Sequence, residues 1–461
     1  MVSVRFVQII LLSVMSMTLY GCDTSGTAPE LSRKPLPTDL LKAESRKLAV
    51  VSAVFLAAEK ERMNIQSHEI TTEFSKDGSG VAYIEPYDGK FHVVHNGKVG
   101  KTYLDISDLS ISSDGMRVAY VGRVDDKTRK MVVDSREGLV YGENDNHMFS
   151  PDGKHHLSTF SQGEKRYIVI DNTLRKEYLL EQNPMFSSDS LSIAFQARTL
   201  DGRGKQFVIS DLNLQSSAVF VSCGDYTIQS DDKSRIAAVC SENGKSIIKV
   251  IDFLKRTVLS NTRYDGTITH FKFAADNRSL AFTVVRKGEK RFVVYDSKEE
   301  MIPAGDEFFT DPIVLSEPEG VGAAIGTVYK SYFYYAFQKR SRNEKGYGYI
   351  SDLAASSDGR HHAYVAVDVN EERAHIVVDG REGSKFDKIV APLFSPDGRM
   401  LIYRARQSGK RFIVLSDLKG KIIRQLKEYD MVFQPIFFAD GSSIGYGVLD
   451  GNELWWKVEK L

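Results

Sequence analysis

The 461-residue chain is poor in the features that usually disclose a function. It carries three cysteines and two tryptophans, so neither a disulfide scaffold nor a dense Cys/His metal framework is available. There is no His-Glu-x-x-His pair and no phosphate-binding loop, which leaves zinc-protease and nucleotide-binding chemistry without a foothold. Charge of one sign is lacking too. Lys+Arg and Asp+Glu each total 61, so no global field draws the protein to nucleic acid or to an acidic surface. The one long apolar run, Phe6 to Tyr20, is short for a membrane span.

What is present is a repeat. Phe149-Ser150-Pro151-Asp152-Gly153 and Phe394-Ser395-Pro396-Asp397-Gly398 are its fullest copies. Further copies centre on Asp77, Asp114, Asp189, Asp232, Asp276, Asp358 and Asp440, with a degenerate one around Glu319. Successive centres lie 37, 38, 37, 43, 44, 43, 39, 39 and 43 residues apart. A period near forty marks stacked units that cannot bury a core singly. After Asp397 the pattern reads turn, Met400–Tyr403 strand, Gln407–Lys410 turn, Arg411–Leu415 strand, Asp417–Gly420 turn and a third strand to Leu426. A fourth strand then leads into the next Asp-Gly turn. Four antiparallel strands per forty residues is the anatomy of a propeller blade. In each turn the Asp side chain can accept backbone N–H groups while Gly takes positive φ. The predicted fold is therefore all-β, a propeller over residues 68–461 of up to ten blades, in one ring or in two smaller ones.

A longer self-match overlies the repeat. Ile106-Ser107-Asp108-Leu109 and Ile350-Ser351-Asp352-Leu353 are offset by 244 residues, and Val132-Val133-Asp134 and Val377-Val378-Asp379 by 245. A block of about six units has been copied. The last unit stops after Glu453–Val458 and lacks an outer strand. Segment 44–67, strand or helix, is the expected closing piece, with Leu48–Leu56 as the donor strand that would remove an open edge.

Residues 1–22 read as a leader: Arg5, the apolar run, then Leu19-Tyr20-Gly21-Cys22. This ending resembles a bacterial lipobox, with Cys22 as the lipidated residue, although Tyr20 is bulkier than the residue usual there. Residues 23–43 are a small, polar, proline-bearing tether. The resemblance implies a periplasm-facing lipoprotein of the cell envelope, anchored in the bilayer through Cys22, and Asp23 implies retention at the inner membrane. The Ser-Pro-Asp-Gly turns resemble the WD-like repeats of the TolB family of periplasmic β-propellers. Val377-Val-Asp-Gly-Arg-Glu-Gly383 and Val132-Val-Asp-Ser-Arg-Glu-Gly138 match a further element of such repeats. That likeness implies the fold and envelope protein partners; it names no ligand.

Candidate sites follow. Cys223 and Cys240 flank the Asp231-Asp232 turn, where antiparallel strands would set them opposite each other as a disulfide or as two buried thiols. His155-His156 and His361-His362 occupy matching places, but strand neighbours point apart, so neither pair chelates an ion from one side. No metal ligand set and no cofactor is read. Basic second-to-third-strand turns, at Gly163–Arg166, Arg203–Lys205, Arg286–Arg291 and Arg404–Arg411, form either a positive arc or an ordinary solvated rim. The degenerate unit crowds Tyr329, Tyr332, Tyr334 and Tyr347 around Arg340 and Arg342, either the aromatic-plus-arginine composition of an interface or, since strand alternation turns half of the aromatics inward, ordinary blade packing.

The functional expectation is a lipid-anchored, non-enzymatic scaffold that binds envelope proteins and no nucleic acid. The alternative is a polysaccharide-binding or polysaccharide-cleaving propeller, for which paired channel carboxylates about 5–10 Å apart would be the signature.

Overall fold

The computed structural model describes residues 45–461 except 65–70, 143–144, 177, 199–203, 216, 222, 243–244, 275, 296, 304–305, 309, 317–318, 328–329 and 338–344. Among the described residues the strands form ten antiparallel sheets in chain order. They are blades 1 to 10: residues 72–99, 105–140, 147–175, 179–221, 223–264, 267–301, 307–336, 349–386, 388–425 and 431–460. Blade 2 shows the pattern, with Asp105–Ile111, Val118–Arg123, Arg129–Val133 and Arg136–Val140 paired in sequence order.

Every junction between consecutive blades holds its own buried apolar cluster. A further cluster joins Leu449 and Leu454 of blade 10 to Val81, Tyr83 and Val94 of blade 1. The chain therefore closes one ring of ten blades, not two smaller ones. Both faces of each sheet are packed, which is why the strands read as continuous apolar runs (Ala374 to Val378 is buried throughout) and not as alternating ones.

Closure uses the N-terminal segment. Strand β1, Arg46–Val50, pairs with Glu453–Lys460 and supplies the outer strand of blade 10. The apolar stretch Leu48–Leu56 does not run on as one strand. Ser52 breaks it, its Oγ accepting the Phe55 N–H at 3.1 Å, and helix α1, Ala53–Asn64, follows. A serine at the N-cap satisfies a donor that the first helical turn leaves free. Phe55 then packs edge-on against Tyr83 at 5.3 Å. The alternative helix start at Thr38 or Asp39 lies outside the described residues. No helix among those described is long and apolar enough to cross a membrane.

The Asp turns are built alike. Ser150 Oγ donates to Asp152 Oδ1 (2.5 Å), which also accepts the Lys154 N–H (3.1 Å), while Gly153 takes φ of 75°. The same Ser-to-Asp bond recurs at Asp77, Asp114, Asp189, Asp232, Asp358 and Asp397. At Asp276 and Asp440 the upstream serine is absent, and Ser279 and Ser442 bond the carboxylate from the other side. Turns also hook to their neighbours: Ser113 Oγ donates to the Pro151 carbonyl and Ser357 Oγ to that of Pro396. The Asp residues thus shape the blade connections.

A second recurrent device lies at the crossings. An aromatic entering each of several blades meets one in that blade's second strand, edge to face: Tyr103–Tyr120 (6.0 Å), Tyr178–Phe195 (5.1 Å), Tyr264–Phe282 (4.9 Å), Tyr347–Tyr364 (6.1 Å) and Phe386–Tyr403 (6.4 Å). Each such pair adds about 0.5–1.5 kcal/mol beyond its buried area. In blade 5 Cys223 and Cys240 face each other in register and are joined by a disulfide, worth roughly 3 kcal/mol for a loop of this length.

Strand alternation sorts the connections into two rims. The Asp turns and the third-to-fourth-strand turns share one rim; the second-to-third-strand turns and blade crossings share the other. Arg46 stands on the Asp-turn rim, where its Nε donates to the Gly78 carbonyl at 2.7 Å.

Candidate functional site at the seventh and eighth blades

The aromatic cluster expected to form an exposed platform is largely internal. Tyr334 is 1% exposed, and its hydroxyl donates to the Glu300 carboxylate. Tyr347 is equally buried. The expectation fails because a blade is sandwiched: Phe333 packs toward blade 8 while its neighbour Tyr334 packs toward blade 6. Alternation along the strand therefore spares neither face. Tyr332 is half-buried beneath the Lys330 ammonium, 5.3 Å from the ring centroid. Tyr329, Arg340 and Arg342 lie outside the described residues.

Among the described residues the basic turns meet acidic partners and form no free positive arc; Arg203 of the Arg203–Lys205 turn lies outside them. Arg286 pairs with Glu299 (2.7 Å), Arg291 with Glu307 (3.2 Å), and Lys410 with Asp430 (2.6 Å). Acids on adjoining strands neutralise them locally, so the rim carries mixed charge. The histidine pairs split as strand geometry requires. His155 and His361 each reach the Asp of the neighbouring turn at 2.7 Å (Asp171 and Asp379), while His156 and His362 turn inward.

One cluster of potential ligand side chains among the described residues was not legible as a motif. At the junction of blades 7 and 8, Asp368, His375 and Glu382 bring one nitrogen and two carboxylate oxygens within 4.8 Å of one another. Asp368 begins the second-to-third-strand turn, His375 lies on the third strand (Ala374–Val378) and Glu382 on the fourth (Arg381–Phe386). Lys345 and Tyr347 reach in from the blade crossing. The Tyr347 hydroxyl donates to Glu382 Oε1 at 2.9 Å, and Lys345 Nζ bonds Glu382 and, at 2.9 Å, Asp368 Oδ1. Lys385 Nζ donates to Asp368 Oδ2 at 2.8 Å and to Glu371 at 2.6 Å.

His375 is the anomaly. The residue is fully buried, and neither ring nitrogen makes a hydrogen bond. Nδ1 stands 3.9 Å from Asp368 Oδ2 and Nε2 stands 3.7 Å from Glu382 Oε1, beyond bonding reach. Burial pushes its pKa below the ordinary histidine value, against the pull of Glu382 and Asp368. Lys385 and Lys345 hold the Asp368 carboxyl down at about 2. Burial raises Glu382, but its bonds from Lys345 and Tyr347 outweigh this and leave it low. The site thus contains two ionised carboxylates beside a neutral imidazole whose one lone pair and one N–H are both idle.

One signal could have found it. The 244-residue duplication places Lys101, Tyr103, Tyr120 and Glu137 at the junction of blades 1 and 2 where Lys345, Tyr347, Tyr364 and Glu382 stand here. Tyr103 donates to Glu137 at 3.1 Å, and Lys101 also bonds Glu137. Opposite Gly122, however, the earlier copy places Lys130, whose ammonium donates to Glu137 Oε2 at 3.0 Å; opposite Ala366 the later copy places His375. Comparing the copies position by position isolates that exchange.

Gly441-Ser442-Ser443-Ile444-Gly445 has the Gly-x-Ser-x-Gly spacing of a nucleophile elbow. Ser443 is buried and opens a strand after the Asp440 turn, without the strand-to-helix bend that exposes such a nucleophile.

No protein-family model and no curated protein sequence matches the chain. Solved structures resemble it at low identity. A eukaryotic initiation factor shares 11% identity at a TM-score of 0.43, over 77% of this chain and 97% of that one. The Dos1 propeller shares 14% at 0.38, over 68% and 91%. An oligogalacturonate lyase in complex with manganese shares 12% at 0.34, over 68% and 98%. The propeller assignment rests on the ten sheets and their closure.

Proposed function

We propose that the protein is a binding scaffold of the bacterial envelope, a TolB-like propeller held to the membrane by a lipid on Cys22. The observation that carries the reading is the position of β1. Because Arg46 enters the ring at the Asp-turn rim, a chain coming from Cys22 reaches the body on that side. The Asp-turn rim would then face the bilayer, and the opposite rim, with the second-to-third-strand turns and α1, would face away, toward protein partners. The mixed charge of those paired turns suits selective protein contact better than general attraction to polyanions. Asp23 favours the inner membrane.

Photocrosslinkers placed at Met116, an exposed tip of the Asp-turn rim, and at Glu164, on the opposite rim, test this in cells. Protein adducts from the Glu164 position and lipid adducts from the Met116 position are expected, with Cys22→Ala releasing the protein from membranes. Protein adducts from Met116 alone, or membrane retention of Cys22→Ala, would overturn the reading. No protein adduct from either rim would favour the polysaccharide alternative.

A further inference from the structure

We propose that Asp368, His375 and Glu382 form a binding site for a first-row divalent cation at the junction of blades 7 and 8. The case stands on the comparison between the two copies of this junction. In the earlier copy Glu137 is met by two ammonium groups, Lys101 and Lys130. In the later copy Lys345 keeps the first of these places, but the second has passed to His375, which carries no hydrogen bond. A carboxylate has been added as well: Asp368 stands where the earlier copy has Val124, each directly following the second strand. Lys to His removes a fixed positive charge, and Val to Asp adds a negative one. Glu382 is kept from the earlier copy, so the exchange brings one new carboxylate and one imidazole to the same spot, while Lys385, where the earlier copy has Val140, holds Asp368 Oδ2 from its outer side at 2.8 Å.

Chemistry selects the class of ion. One imidazole with two carboxylates suits zinc or manganese, whereas calcium and magnesium favour all-oxygen shells. Bonds of about 2.0–2.2 Å require the three donors to draw in by roughly an ångström, within the reach of carboxylate side-chain rotation. The buried imidazole lacks hydrogen bonds that would have to be broken first. Lys345, with its side chain 45% exposed, competes for both carboxylates and Lys385 for Asp368, and both ammonium groups can swing out to solvent. Three protein ligands leave a coordination position open on that solvent side.

The test is titration of the full chain in detergent with ZnCl2 and, separately, CaCl2, read by calorimetry and by thermal unfolding. His375→Lys is the first variant, because Lys130 shows that a lysine is accommodated at this register. Lys345→Met is the second. One saturable zinc equivalent, weakened at least tenfold by His375→Lys and tightened by Lys345→Met, is expected, with no comparable calcium response. Undiminished zinc affinity in His375→Lys, equal binding of calcium, weakened binding in Lys345→Met, or no saturable zinc equivalent in the unmodified protein would each overturn the proposal. None of these readouts depends on the lipid anchor or on a partner.

Discussion

Blades 2 and 8 descend from one ancestral unit and have diverged at a single kind of place. Their frames coincide. Each has a bulge in its inner strand, at Ser107/Ser110 and at Ser351/Ala354, with Asp108 and Asp352 at φ of 52° and 50°. Each receives a Lys-x-Tyr crossing whose tyrosine meets a buried tyrosine of the second strand edge-on. Each carries a glutamate bonded by that crossing. The difference lies in how the glutamate's surroundings are completed. Blade 2 completes them with the Lys130 ammonium, a flexible stem that reaches half-exposed ground. Blade 8 leaves a rigid, fully buried ring and compensates its acids from outside, through Lys345 and Lys385. Packing positions were held while polar positions drifted, because a lost ring contact costs several kcal/mol and a rearranged ion pair costs far less.

That equivalence can be broken most forcefully at the tyrosines. Tyr120→Ala and Tyr364→Ala should each destabilise the ring by about 3–5 kcal/mol in denaturant titrations, since both side chains are almost wholly buried. A cost well under 2 kcal/mol in one copy would show that the two junctions no longer share a packing role.

The glutamates should matter less. Lys101 and then Lys130 depress the Glu137 carboxyl to about 2. A carboxyl with a lowered folded pKa adds stability that is present above its unfolded value near 4.5 and is lost as pH falls toward 2. Glu137→Gln should therefore cost roughly 1 kcal/mol at neutral pH and should flatten the acid limb of the melting-temperature profile. Glu382→Gln should act in the same direction, because the Glu382 pKa is also lowered. An unchanged acid limb in Glu137→Gln would remove the assigned ion-pair role.

The smallest effect is the most discriminating. His375 faces Asp368, Glu382, Lys345, Lys385 and the Tyr347 ring, and its folded pKa lies below the ordinary value because of burial. Its contribution is present above about pH 6.5 and is lost as pH falls below that value. His375→Lys, measured without added metal, should gain about 0.5 kcal/mol at pH 7 and lose less stability between pH 6.5 and 5 than the unmodified chain. His147 and His156, also held low by burial, keep part of the decline in place. A steeper decline in the variant would mean that a lysine cannot settle there, and the likeness of the two copies would end at their packing.

Much of the architecture was legible because it is local and repeated. Asp152 and Gly153 specify a turn through their own side-chain and backbone preferences, and nine such turns spaced near forty residues imply blades. The split of Leu48–Leu56 into strand and helix was less legible, since one short apolar run satisfies either periodicity and only Ser52, read as a cap, divides it. The site was hardest. Tyr334 and Tyr347 look like a surface platform in one dimension, yet both faces of a blade are interior. Asp368, His375 and Glu382 fall seven residues apart, a spacing that belongs to no ligand motif, because a turn and a strand bulge bring them together.

The sequence by itself determined the blade, the turn chemistry and the number of units, because each depends on bonds formed within a few residues. Tertiary structure decided that ten units close into one ring, that the aromatic cluster is buried, and that a lone histidine lies between two acids. Those outcomes depend on which blade packs against which, and packing across a junction is set by residues far apart in the chain.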